Sequence, residues 1–232
     1  GCANILQRKS KDSAIVETYS AHIINSAKRT SELTRKLLDF SRKGKLLSTD
    51  LDIHQVIKEA LQMLDHGLYK GVEIQTVLNA KNTRLIGDPS QLENSLLNIF
   101  LNACDAMGGI GKLIIKTENL TIDDSQIEKL ELTPSNQFIE IEIVDNGAGI
   151  SPEVIPMIFE PFFTTKEIGK GTGLGLAAVY GAIKDHHGAI QVWSELNKGT
   201  KFSILLPLRA HEPNLEDELS AKKNVIAPIK GT

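Results

Sequence analysis

The sequence predicts an α+β fold, a sheet layered with helices and preceded by a long helix, and three stretches predict it. Ile139, Ile141, Ile143 and Val144 form an apolar strand that runs straight into the glycine-rich turn Asp145-Asn-Gly-Ala-Gly-Ile150. Asp88-Pro-Ser-Gln91 reads as a helix start, with Asp88 as N-cap, Pro89 as first helical residue and Gln91 where a capping-box partner reaches back. From Val16 the spacing Val16, Tyr19, Ile23, Ser26, Thr30, Leu33, Leu37, Phe40 alternates steps of three and four, the seam of a coiled coil or four-helix bundle.

In chain order, residues 1–9 read as the tail of a helix and Ser10 to Ser13 as a turn with a helix cap. The long helix that follows cannot bury its stripe alone. It is expected to pair with the helix ending at residue 9, and the resulting hairpin to dimerise; the alternative is one amphipathic helix packed on its own domain. Ser41-Arg-Lys-Gly-Lys45 closes it with basic residues and a glycine. The expected division is 1–45 helical segment, 46–209 main domain and 210–232 linker or tail. Leu46 to Leu51 reads as a strand, Ile53 to Leu64 as a helix and Val72 to Leu78 as a strand. The helix starting at Pro89 carries Asn94, Asn98 and Asn102 at i, i+4, i+8 amid leucines, a face whose amides need partners if buried. Lys112 to Thr117 and Gln137 to Val144 read as neighbouring strands joined by a polar surface excursion, Glu118 to Asn136. Pro152 to Ile158 is expected as a short helix, Phe159 to Lys170 as a mobile lid, and Thr172 to His186 as a helix. Ala189 to Trp193 and Thr200 to Leu206 form a hairpin turned by Asn197-Lys-Gly199. Beyond Leu208 the apolar periodicity stops.

Composition narrows the classes. A chain of 232 residues, 41% apolar and 24% charged, is ordinary globular protein with room for one sizeable domain and a smaller one. With 26 basic against 29 acidic residues, no nucleic-acid partner is expected. No stretch approaches a membrane span, so no membrane contact is expected, and the chain is expected in the cytoplasm even if a longer protein is membrane-attached. Cys2 and Cys104 suggest neither a disulfide framework nor a zinc site, and Cys104 reads as a small buried hydrophobe.

The chemistry gathers around the glycines. A carboxylate at the end of a strand, as Asp145 is, can accept a hydrogen bond from an exocyclic amine such as that of adenine. The second run, Gly171-Thr-Gly-Leu-Gly-Leu176, places backbone N–H groups at a helix start, which suits phosphates. Either run alone reads equally as a tight turn. Gly173 to Ala178 also satisfies a dinucleotide-binding pattern, with Glu195 at a ribose-binding distance downstream, but that pattern must follow a buried strand and Phe159 to Lys170 is none. There is no Walker sequence.

Together the stretches resemble sensor histidine kinases. Asn102 falls in the N box, Asp145 to Gly149 in the first glycine box, Phe159 to Phe163 in the F box, Gly171 to Gly175 in the second glycine box and Gly199-Thr200 in the third. The resemblance implies a Bergerat-type ATP-binding sandwich with a mixed sheet, of the histidine-kinase, gyrase, chaperone and MutL superfamily, binding ATP and Mg2+. The ATP-site residues it implies are Asn98, Asn102, Asp105, Asp145, Gly147, Gly149, Ile150, Phe159, Thr164, Thr165, Lys166, Gly171, Thr172, Gly173, Leu174, Gly175, Leu176 and Thr200, with Asn102 holding the metal and Thr200 reaching adenine through water. Asp105 departs from the basic residue common at its position. Hydrolytic relatives carry a glutamate one helical turn before the magnesium asparagine; here it is Asn98, and an amide is no general base.

The family's phosphoacceptor is a histidine on the first hairpin helix beside an acidic residue. Of the six histidines none matches: His22 lacks the acidic neighbour and lies on the second helix, and His186 and His187 read as surface groups ending a helix. The acceptor is therefore expected upstream of Gly1, leaving this chain unable to phosphorylate itself. The implied partners are a second copy, through the helical segment, and a response-regulator receiver domain. The competing readings are a nucleotide-binding regulatory module without transfer activity and a hydrolytic ATPase.

Overall fold

The computed structural model describes residues 16, 18–20, 48–64, 69, 71–130, 132, 135, 137–167 and 171–209. Val16 and residues 18–20 are helical; the rest of the long helix, its partner, His22 and the 210–232 tail lie outside the described residues. The elements run β1 (Thr49–Asp52), α1 (Ile53–Leu64), β2 (Gly71–Leu78), β3 (Arg84–Gly87), α2 (Pro89–Ala106), β4 (Ile110–Thr121), α3 (Asp124–Lys129), β5 (Gln137–Asp145), a 3-10 turn (Ile155–Met157), α4 (Gly175–Asp185), β6 (Ala189–Glu195) and β7 (Gly199–Pro207).

A five-stranded mixed sheet has the order β2-β4-β5-β7-β6. Only β2 and β4 run parallel; the remaining neighbours are antiparallel. The α+β class and the mixed sheet are as expected. Period-two alternation gives one sheet face to Leu113, Ile115, Ile139, Ile141, Ile143, Phe202, Ile204 and Leu206, all buried. Against it lie the apolar stripes of α1 (Ile53, Val56, Ile57, Ala60, Leu64), α2 (Leu92, Leu96, Ile99, Phe100, Ala103) and α4 (Ala177, Val179, Ile183). Burying a residue such as Phe100 contributes about 2–3 kcal/mol before entropic costs. The opposite face is a polar ladder, with Glu142 accepting from Lys201 at 2.9 Å, Lys201 over the Trp193 ring at 4.3 Å, and Ser203 donating to Glu140 at 2.6 Å.

Several expectations are corrected. The strand expected at Leu46 to Leu51 is described as Thr49–Asp52, and it pairs antiparallel with β3, a strand the pattern did not reveal. Arg209 donates its N–H to the Arg84 carbonyl at 3.0 Å, and Asp50 accepts from Arg84 at 2.7 Å and from Arg209 at 3.0 Å. Glu118 to Asn136 is no mere excursion: β4 continues to Thr121, and α3 is capped by Asp123, which accepts from the Gln126 N–H at 2.9 Å. There Ile122, Leu132, Phe138, Ala189 and Leu205 form a second small core. The Pro152 to Ile158 helix shrinks to the 3-10 turn. Among the described residues no helix is long and apolar enough to cross a membrane.

The start of α2 is as expected in position but not in its bonding. Asp88 Oδ1 accepts from the Ser90 and Gln91 N–H groups at 3.0 and 3.2 Å. No capping box closes, because the Asp88 N–H donates to His186 Nε2 at 2.8 Å, and Gln91 Oε1 is buried without a partner. His186 is thus not a surface group. It is 4% exposed, and since Nε2 accepts, Nδ1 carries the hydrogen and donates to the Ala182 carbonyl at 2.7 Å. It joins the end of α4 to the start of α2, fixing the axial position of the asparagine-bearing helix. His187 is exposed, with φ +58°.

Candidate functional site

Asp145 shares its sheet face with Ile139, Ile141 and Ile143 through the period of two, so the strand carries a carboxylate to the edge of the core. It is 6% exposed, and Oδ1 accepts the Gly147 N–H at 2.8 Å. Burial pushes its carboxyl above the ordinary value, and the Gly147 and Thr200 N–H groups pull it partly back. Lone pairs remain for a donor arriving from outside the strand end.

The turn after Asp145 is held on both sides. The Ala148 N–H donates to the Ala106 carbonyl at 3.0 Å at the end of α2, and the Ala148 carbonyl accepts from the Asn197 N–H at 2.8 Å in the β6–β7 hairpin. Gly149 has φ +71°, and a Cβ there would stand 2.1 Å from the Glu195 carbonyl oxygen, so only glycine admits this approach. The Ile150 N–H donates to Ser194 Oγ at 2.7 Å. Ser194 spends its one hydrogen on the Gly199 carbonyl at 3.0 Å; Thr200 Oγ1, 2.9 Å away, therefore donates to Ser194 and turns its lone pairs elsewhere. In register Thr200 lies opposite both Asp145 and Ser194, so carboxylate and hydroxyls share one end of the sheet.

The amide face of α2 is not buried among leucines. Asn94 is exposed, and Asn98 and Asn102 are half-buried along the side that faces α4 and the lid segment. The start of α4 lies against Asn98: a Cβ on Gly175 would stand 3.5 Å from its Oδ1. Helix α4 begins at Gly175 rather than Thr172, its N-cap Leu174 makes no side-chain cap bond, and Thr172 Oγ1 accepts the Leu174 N–H at 3.4 Å. Leu174 is buried and Leu176 packs on the core, so their side chains are packing groups.

The segment expected as a lid is tied to the second glycine run through its described residues. The Phe162 N–H donates to the Gly173 carbonyl at 2.9 Å, and with φ +65° a Cβ on Gly173 would lie 2.3 Å from the Phe162 carbonyl carbon. Phe162 itself has φ +69° and is exposed, whereas Phe159 packs on Tyr180 with ring centroids 5.4 Å apart. Thr164 Oγ1 accepts the Lys166 N–H at 3.2 Å, Gly171 lies against Thr164 and Lys166, and Thr165 is exposed. Residues 168–170 are outside the described residues.

Lys166 and Asp105 join the Phe159 to Glu167 segment to α2. Lys166 Nζ donates to Asp105 Oδ2 at 2.5 Å and to Asn102 Oδ1 at 3.4 Å, while Tyr69 Oη donates to Asp105 Oδ1 at 2.7 Å. Burial pushes the Asp105 carboxyl up, but the bonds from Lys166 and Tyr69 outweigh it and hold the carboxyl below its usual range. Burial and the bond to Asp105 push the Tyr69 phenol up to about 12. Cys104 next door is buried and its thiol pushed up to about 11, an inert packing group as expected.

Asn98, Asn102, Asp105, Asp145, Thr200 and both glycine runs thus converge on one end of the sheet. The sequence reading missed Tyr69 and Ser194 and took His186 for a surface group. Ser194 was recoverable, because counting outward from the Asn197-Lys-Gly199 turn places it opposite Thr200. Tyr69 and His186 act across long sequence separations and left no local signal.

Residues 87–210 match the family described as histidine kinase-, DNA gyrase B- and HSP90-like ATPases. Sensor kinase CckA of Brucella abortus is 37% identical over 202 residues, covering 87% of this chain and 21% of that protein. Sensor histidine kinase ZraS of Escherichia coli K12 is 32% identical over 184 residues, covering 78% of this chain and 36% of that one. This chain therefore spans about a fifth and about a third of these two relatives. Among solved structures, the mycobacterial sensor histidine kinase MprB superposes with a TM-score of 0.57 at 27% identity, covering 70% of this chain and 99% of that one. By sequence and by fold, the chain belongs to the histidine kinase-, DNA gyrase B- and HSP90-like ATPase family.

Proposed function

We propose that the chain is the ATP-binding core of a two-component sensor histidine kinase, serving transfer of the γ-phosphoryl group of Mg-ATP to a histidine and onward to a response-regulator aspartate. The observation that carries transfer rather than hydrolysis is Asn98. It stands one helical turn before Asn102, beside the start of α4, where a water-activating base would have to sit, and an amide cannot take a proton. The carboxylates on the described residues nearby are engaged, Asp145 by Gly147 and Asp105 by Tyr69 and Lys166.

The residues fit the nucleotide. Asp145 is a buried acceptor for the adenine amine, with the Thr200 lone pairs beside it for a bridging water. Asn102 Oδ1 already accepts from an ammonium, so it faces a position that favours a cation such as Mg2+. The α4 N–H groups, uncapped by any side chain, and the Gly171 to Gly175 backbone suit phosphates. Bound Mg-ATP supplies the phosphoryl group and part of the charge neutralisation. The chain's own residues hold the base, orient the phosphates and, through Phe159 to Lys166, cover the site.

Around this core we place a dimerising helical segment at 1–45, on the apolar seam from Val16 to Phe40, and a linker at 210–232, on the loss of apolar periodicity beyond Leu208, with a receiver domain as partner and a cytoplasmic location. The test is incubation with γ-labelled ATP and magnesium, with and without an added helical hairpin bearing a His-Glu or His-Asp pair. Acid-labile, alkali-stable label on the hairpin only is expected. Phosphate release without labelling would make the chain a hydrolytic ATPase, and nucleotide binding with neither a regulatory module.

A further inference from the structure

Lys166 is the cation that the structure brings to Asn102, and it comes from the lid rather than from α2. Its ammonium is held chiefly by Asp105, whose other oxygen is fixed by Tyr69, so the carboxylate is anchored and the lysine is the movable partner. The pair is only part-shielded, with side chains 37% and 41% exposed, and such pairs are weak enough to exchange. A lysine stem is flexible and its ammonium a point charge, able to swing between anions while the backbone stays in place. A polyphosphate lying along Asn102 would offer that ammonium a stronger anion than one carboxylate.

We propose that Lys166 is a two-position cation: it latches the lid segment to α2 through Asp105, the contact seen in this structure, and moves to the terminal phosphate of ATP. Asp105 is then a positioning residue that competes with the nucleotide for the lysine. The inference rests on the nucleotide-site reading above. ADP lacks the terminal phosphate, so the lysine should discriminate between the two nucleotides.

Titration calorimetry of wild type, Lys166→Met, Lys166→Arg, Asp105→Asn and the Lys166→Met/Asp105→Asn double variant with ATP and with ADP tests it, thermal melting confirming that each is folded. Expected are a loss of about tenfold in ATP affinity for Lys166→Met with ADP affinity within about twofold, and retention of ATP affinity by Lys166→Arg. Asp105→Asn should raise ATP affinity about two- to fivefold, and the gain should vanish in the double variant. A gain that persists there shows plain charge repulsion and overturns the competition; equal losses on ATP and ADP, or none, overturn the terminal-phosphate role while leaving the nucleotide site standing. A wild type that binds neither nucleotide overturns both readings. Acylation of Lys166 by an amine reagent in nucleotide-free protein, read by mass spectrometry, checks the latch itself: Asp105→Asn should raise labelling severalfold, and unchanged labelling refutes the latch.

Discussion

Asp145→Asn isolates the adenine contact from everything else the strand does. An asparagine side chain has the same shape, and its carbonyl can keep the Gly147 N–H that Oδ1 now takes at 2.8 Å. Its amide nitrogen then replaces the acceptor that faces the incoming base with a donor. One charge-assisted hydrogen bond is lost and two donors oppose each other, a cost of about 2 kcal/mol, or about 30-fold in affinity. Folding should not suffer, because burial already pushes this carboxyl toward its neutral form and a neutral amide removes that penalty. Calorimetry with ATP reads the affinity and a urea titration the stability. Equal ATP affinity in the two proteins would remove Asp145 from the adenine site, and a large fall in stability would mean that the carboxylate is a structural group.

Three further outcomes rest on particular bonds. His186→Ala leaves the Asp88 N–H without its acceptor at the start of α2 and should lower stability by about 1–3 kcal/mol, seen as a lower urea midpoint; an unchanged midpoint refutes the tie between α4 and α2. Burial pushes the His54 imidazole below its ordinary 6.5, so the unfolded chain binds the proton more tightly: stability is full above about pH 6.5 and falls as pH drops through that value toward the folded one. His54→Gln should flatten the fall in melting temperature between about pH 7 and pH 5, and parallel curves would count against it. Asn98→Glu puts a base beside the start of α4 and should raise slow phosphate release; an unchanged or lower rate would show that the geometry does not admit an attacking water there.

What was legible in the sequence is what local physics writes. The alternation Ile139, Ile141, Ile143 and then Asp145 announced both the strand and the face on which its carboxylate lies, and Asp88-Pro89 announced the register of α2. Gln91 misled because its capping role depends on a backbone N–H that a residue 98 positions away had already taken. The asparagine face misled because leucines flank it in sequence, whereas the buried stripe of α2 runs through Ser95, Leu96, Ile99, Phe100 and Ala103 and leaves the amides at its margin. β3 is four residues long and flanked by polar positions, too short for periodicity to separate it from a turn. The Asp105–Lys166 contact spans 61 positions and joins a helix to a loop, so no pattern within either stretch could foretell it.

The ion cluster at Asp50 makes the ATPase unit nearly circular. β1, where the chain enters, and Arg209, where it leaves, are both tied to β3, by strand pairing and by the Arg209 N–H to the Arg84 carbonyl, and Asp50 grips Arg84 and Arg209 together. A unit whose two ends meet at one carboxylate can be spliced between flanking segments like a bead on a thread, with the segments on its two sides kept close together. The same adjacency should let residue 209 be joined to residue 48 by a short linker and new ends opened in the exposed Glu195 to Lys198 turn, with the sheet order unchanged.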